Sequence, residues 1–184
     1  MLTNTIRRIA MKMYKKMAKA ISYDPKKRSK KNVKYIVIHY TGNAGDTAKG
    51  NVNYFANTNK REAGAHFFVD RQGKTARSIP MNRTAWAVGG DQRSGMKGEA
   101  KYYNKCTNYN SVSIELCDVA TKDPSQKQIK AVKKLIKYIK KYCPNAKTVI
   151  RHWDVNGKKC PARMVGDKTT SGGKKWAKFK KEVV

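Results

Sequence analysis

Two imidazoles and one thiol carry most of the chemical information in this chain. The stretch Val149-Ile150-Arg151-His152-Trp153-Asp154-Val155-Asn156-Gly157-Lys158-Lys159-Cys160-Pro161 sets His152 and Cys160 eight residues apart across a polar turn. A further imidazole, His39, ends the apolar run Val33-Lys34-Tyr35-Ile36-Val37-Ile38-His39. A cysteine is a thiolate at neutral pH only where positive charge or a metal lowers its pKa, and zinc does so directly. Two His and one Cys leave tetrahedral zinc one position for water, as in catalytic rather than structural zinc sites. The chain therefore reads as a zinc hydrolase with His39, His152 and Cys160 as ligands. His66 is the competing third imidazole. A His39/His66/His152 set with Cys160 left over is the alternative, and His66 as a packing or supporting residue is the favoured reading.

Such a site needs a proton acceptor and a group that stabilises charge developing on the attacked carbonyl. In Val112-Ser113-Ile114-Glu115-Leu116-Cys117 the apolar residues Val112, Ile114 and Leu116 share one face, which leaves Ser113, Glu115 and Cys117 on the other. A carboxylate in an apolar strand is costly unless it is paired or functional, so Glu115 is the candidate acid/base and a structural ion pair is the competing explanation. Lys158, two residues before Cys160, is the candidate electrophilic cation by position alone.

These groups need a scaffold of alternating strands and helices. Residues 33–39 are apolar at nearly every position, as a strand buried on both faces is. A short helix is expected around Val52 to Asn57. Residues 65–69, the turn Asp70-Arg71-Gln72-Gly73 and residues 74–79 read as a hairpin, and Val112 to Cys117 as another strand. Asp123-Pro124-Ser125-Gln126 is a helix start, with Asp123 as cap and Pro124 at the first helical position. Its buried stripe is Ile129, Val132, Ile136, Ile139 and Cys143, and lysines from Lys122 through Lys141 take mostly the opposite face. Residues 148–152 form the next strand, and Trp176, Phe179 and Val183 mark a closing helix. The fold class is α/β: a central mixed β-sheet flanked by helices.

The 184 residues carry 42 Lys plus Arg against 12 Asp plus Glu, a net charge of +30. Such an excess calls for a polyanionic partner. Residues 1–31 hold eleven Lys or Arg and one acid, Asp24, and they read as a basic amphipathic helical extension and linker ahead of a catalytic domain at 32–184. Ile6, Ile9, Ala10, Met13, Met17, Ala20 and Ile21 recur at helical spacing, fit either for an anionic membrane surface or for packing on the domain. Four cysteines without a secretory signal predict free thiols rather than a disulfide framework.

Taken together, Tyr35-Ile36-Val37-Ile38-His39-Tyr40-Thr41, Gly64-Ala65-His66-Phe67-Phe68-Val69-Asp70, Ala85-Trp86, Asn110 through Leu116 and Arg151-His152 through Cys160-Pro161 resemble the zinc-dependent N-acetylmuramoyl-L-alanine amidases of the type 2 amidase family, to which peptidoglycan recognition proteins are related. The resemblance covers about residues 32 to 184 and implies the type 2 amidase fold, Zn2+ on His39, His152 and Cys160, Glu115 as acid/base and Lys158 as stabiliser of the tetrahedral intermediate. The implied reaction cleaves peptidoglycan between N-acetylmuramic acid and L-alanine. Two departures stand out: Ala65 lies where some members carry a catalytic Tyr, and Ala87 follows Trp86 where many carry His.

With its charge and no leader, the chain looks endolysin-like, made in the bacterial host cytoplasm and acting on the wall after release. Its basic N-terminal segment is expected to meet anionic wall polymers or an anionic membrane surface. A non-catalytic peptidoglycan-binding module and a cytoplasmic muropeptide-recycling amidase are the alternatives. Specific nucleic-acid binding is not expected, because no recognition helix or RNA-binding aromatic motif accompanies the lysines. Nothing in the sequence specifies an oligomeric state.

Overall fold

Strand β3 (Tyr35–Tyr40) is the axis of the molecule, and its Ile36, Val37 and Ile38 are all fully buried. It pairs in parallel with β7 (Ser111–Leu116) on one side and with β8 (Thr148–Arg151) on the other. The computed structural model describes residues 11–89 and 100–184. Within them β4 (Phe67–Val69) extends the sheet from β7, β5 (Thr75–Arg77) folds back antiparallel on β4, and β1 (Tyr14–Lys15) adds to β5. The strand order is β1-β5-β4-β7-β3-β8, a mixed sheet, with β2 (Tyr23–Asp24) and β6 (Thr84–Ala85) pairing separately.

Helices cover both faces, as parallel strands without an exposed side require. Helix α2 (Gln126–Tyr142) buries Ile129, Val132, Leu135, Ile136 and Ile139 against Ile36, Ile38, Ile114 and Leu116. Helix α4 (Ser171–Val183) closes the same core through Trp176, Phe179 and Val183. On the opposite face α1 (Ala48–Asn57) packs Val52 near Phe68 and Cys117. The expected short helix, hairpin, third strand and closing helix are thus present.

Two boundaries differ from expectation. Ser125, not Asp123, caps α2 by accepting from the Gln128 N–H, because the Asp123 carboxylate is engaged by Arg163 at 2.7 Å and Lys175 at 2.9 Å. The β8 strand stops at Arg151, and His152 opens the short helix α3 (His152–Asn156), which ends at Gly157 in the left-handed region with φ 76°.

The helical extension expected over residues 1–31 is corrected where it is described, over residues 11–31. Ile6, Ile9 and Ala10 lie outside the described residues, but residues 11–31 contain no α-helix: two short strands and two 3-10 turns occupy them. Lys16 N–H donates to the Arg77 carbonyl and Ala18 N–H to the Ser78 carbonyl, both at 3.2 Å, so the segment satisfies its backbone along an open sheet edge. Met17 and Ile21 are 41% and 39% exposed while Ala18 is buried, the reverse of the helical stripe. Edge pairing overrides the local periodicity, and this stretch is built into the domain rather than appended to it.

Arg28, in the midst of the lysine run, makes the tightest tie. It is 5% exposed. Its guanidinium donates to the carbonyls of Met81 (3.2 Å), Asn108 (2.8 Å), Tyr109 and Ser111 (2.8 Å) and meets His66 Nε2 at 3.0 Å. Burial lowers its pKa to about 10.

Candidate metal centre

Strand register assembles the site. His39 lies opposite Glu115 across the β3–β7 pair, so both side chains leave the same face of the sheet. On the other side of β3, Ile38 is level with Arg151, which brings the next residue, His152, level with His39. Alternation points Ile36 and Ile38 toward α2, so His39 and Glu115 occupy the face away from that helix.

Three devices hold His152 and Cys160. Arg151 Nη2 contacts Asp154 Oδ1 at 2.7 Å, the Arg151 N–H donates to Asp154 Oδ2 at 2.8 Å, and the guanidinium lies 4.3 Å from the Trp153 ring centroid. This buried ion pair locks the β8–α3 junction. The loop after Gly157 then returns, and the Trp153 N–H donates to the Cys160 carbonyl at 2.9 Å. Asn156 Oδ1 accepts from the Lys158 N–H at 3.1 Å and shapes the turn between them.

His39, His152 and Cys160 converge, each buried, with one ligand atom from each lying within 4.8 Å of the others. Cys160 Sγ is 3.8 Å from His39 Nδ1, and the two imidazole centroids are 4.7 Å apart. His39 Nε2 is buried without a hydrogen-bond partner. Burial, then the neighbouring His152 and Lys158, holds His39 well below the ordinary imidazole pKa, so it is neutral and able to donate a lone pair. Burial also pushes the Cys160 thiol up, with Glu115 adding to it; a bound cation reverses that preference. Two imidazoles and one thiol in a buried cluster fit zinc by ligand type and number.

The His66 alternative is resolved. Its ring is hydrogen-bonded elsewhere, Nδ1 to Ser113 at 3.0 Å and Nε2 near Arg28 and the Arg83 carbonyl at 3.0 and 3.1 Å. Burial, then the Arg28 charge, lowers its pKa to about 3. It supports the core beneath the site.

Glu115 is partly buried, and its Oε2 has no hydrogen-bond partner. Burial raises its pKa to about 7, with Lys158 opposing and Asp46 reinforcing the shift. Lys158 is exposed on the loop before Cys160. Both residues line one cleft with the three candidate ligands, a cavity of about 1110 Å³ also bordered by Tyr54, Trp86 and Asn108. The Asn108 side-chain oxygen accepts from the Ala87 and Val88 N–H groups at 2.9 and 2.7 Å, which sets the Trp86 wall. Sequence reasoning missed Asp46, Asn108 and Arg28. Asp46 and Asn108 sit in polar loops with no periodic signal, and Arg28 is hidden in a charge run.

The family model for N-acetylmuramoyl-L-alanine amidase matches residues 29–163. The amidase CwlL of Bacillus licheniformis is 29% identical over 164 residues, covering 85% of this chain and 44% of that relative. The amidase CwlA of Bacillus subtilis (strain 168) is 28% identical over 161 residues, covering 86% of this chain and 54% of that relative. The chain thus spans about half the length of these curated relatives. Among solved structures, PlyL superposes with a TM-score of 0.71 at 25% identity, covering 94% of this chain and 97% of that one. The PlyG catalytic domain gives 0.68 at 28% identity, covering 94% and 93%.

Proposed function

The chain belongs to the N-acetylmuramoyl-L-alanine amidase family, and from that premise we propose that it hydrolyses the amide between the lactyl group of N-acetylmuramic acid and the L-alanine of the peptidoglycan stem peptide, lysing walls in the manner of an endolysin. The observation that carries the reading is the convergence of His39, His152 and Cys160 in an open cleft with Glu115 in register beside His39. A structural zinc site would close its fourth position with protein. Here the same cleft holds a carboxylate and an ammonium instead.

His39, His152 and Cys160 would hold zinc, which when bound supplies carbonyl polarisation and a water of lowered pKa. Glu115 takes up the proton that attack releases and passes it to the departing L-alanine nitrogen. A carboxylate raised toward neutrality by burial suits both halves of that transfer. Lys158, carried on the loop next to Cys160, places its ammonium where the carbonyl oxygen gathers negative charge. Ala65 offers no phenol, so proton transfer rests on Glu115. Trp86 and Tyr54 offer flat apolar surface to a sugar ring or stem peptide at the cleft wall.

Digestion of purified walls tests the proposal. New L-alanine amino termini should appear without new reducing sugars. Reducing sugars alone would mean a glycosidase, and muropeptide binding without cleavage would mean a recognition module.

A further inference from the structure

Helix α2 carries seven lysines and no acid in 17 residues. Lysines at i, i+3 and i+4 repel one another along a helix, so this face is stabilised by nothing within itself. Lys127, Lys130, Lys134, Lys137 and Lys141 alternate in steps of three and four, which aligns them in one row about 21 Å long. All five line a single groove of about 770 Å³, joined from the N-terminal segment by Lys12. Among the described residues no salt bridge includes any of the six. Met11, Ala131 and Tyr138 form an apolar floor, and Gln72 and Gly73 of the β4–β5 turn form the rim.

A linear polyanion laid in this groove meets every ammonium of the row in turn. We propose that this groove binds a phosphodiester polymer of the bacterial wall, a polyol-phosphate chain, and that it anchors the enzyme while the catalytic cleft works. Lysine suits this ligand, since a compact charge with three rotatable donors accepts phosphates of irregular spacing. Among the described residues Tyr138 is the one aromatic bordering the groove, so a stacking series for bases is missing there and a base-free polymer fits better than a nucleic acid. Position agrees. The apolar stripe of α2 packs on the sheet face carrying Ile36 and Ile38, while His39 and Glu115 leave the opposite face, so a polymer in the groove leaves the cleft open. The basic tether expected of residues 1–31 is thereby shifted to α2, with Lys12 as the contribution of the N-terminal segment. The inference rests on the wall-lytic reading for the identity of the polymer, but not for the presence of an anion site.

The test uses the full chain and soluble poly(glycerol phosphate). Lys127→Gln, Lys130→Gln, Lys134→Gln and Lys137→Gln combined should weaken binding at least about tenfold at physiological salt and flatten the salt dependence of log K by about 3, near 0.7 per lost contact. Glutamine is a comparable helix former, so melting should hardly move. A charge-matched control replaces Lys168, Lys174, Lys178 and Lys181, all exposed and none of them lining the groove, by Gln, and should bind within about twofold of the parent. Equal loss in both variants would reduce the effect to net charge and overturn the site. Tighter capture by a single-stranded oligonucleotide would reassign the groove to nucleic acid, and capture by phosphatidylglycerol vesicles without polymer binding would reassign it to a membrane. Cleavage of a small soluble muropeptide should be unchanged in both variants. A parent that binds polymer but leaves the muropeptide intact would refute the amidase reading and keep the groove.

Discussion

Replacing Arg28 by Met should remove the clamp between the N-terminal segment and the catalytic domain. The side chain is 5% exposed and donates to four backbone carbonyls, so Met, of similar length, fills the space but leaves those acceptors without their donor. Hydrogen bonds from a charged group contribute about 1.5–3 kcal/mol each, which for four gives about 6–8 kcal/mol at the lower end of the range. Against this stands the cost of burying the charge. A pKa lowered from 12.5 to about 10 corresponds to about 3 kcal/mol that the variant recovers. The net destabilisation is about 3–5 kcal/mol. With 184 residues and an unfolding entropy of about 2.1 cal/mol/K per residue, Tm should fall by about 10 °C. Calorimetry at fixed zinc concentration measures it, because a bound metal shifts Tm by mass action. Arg28→Lys keeps the charge but loses the planar fork and should fall between parent and Met. His66 offers an independent readout: its pKa should rise in the Met variant, since the Arg28 charge is the second cause of its depression. A Tm change under about 3 °C, or an unmoved His66, would refute the clamp.

Four further outcomes are expected. One zinc should bind per chain; chelation should abolish amide cleavage, added zinc should restore it, and Cys160→Ala or His152→Ala should lose the metal, so zinc retained in both variants would mean the ligands are misassigned. Glu115→Gln should keep fold and zinc yet lose at least about a hundredfold in rate. Lys158→Met should raise the pH at which Glu115 deprotonates, because Lys158 holds that pKa down, and near-normal turnover in Glu115→Gln would rule out its role. His66 has a folded pKa of about 3 against 6.5 when unfolded, so its contribution is complete above pH 6.5 and is lost as pH falls toward 3. Between pH 7 and 4.5 that loss is about 3 kcal/mol, and His66→Gln should show a correspondingly shallower fall in urea midpoint; parallel curves would show that His66 does not titrate this way.

Much of the site was legible because its signals are local and alternating. Period-two patterning put Glu115 opposite the apolar face of its strand, and the short polar turn kept His152 and Cys160 within reach of one ion. Chain-local chemistry named these groups and favoured Cys160 over His66 as the third ligand, but left the His66 set as an alternative. That choice belongs to register: β8 aligns Arg151 with Ile38 and so lifts His152 level with His39, while His66 is drawn to Ser113 and Arg28. The N-terminal segment shows the opposite limit. Met13, Met17, Ala20 and Ile21 repeat as a helix would, yet an open strand edge at β5 and the carbonyls around Arg28 supply long-range partners that a helix in isolation does not have. Residue type and spacing determined the chemistry available to this protein. Long-range pairing decided which groups meet, because the partners that satisfy a buried donor come from residues 53 to 83 positions away.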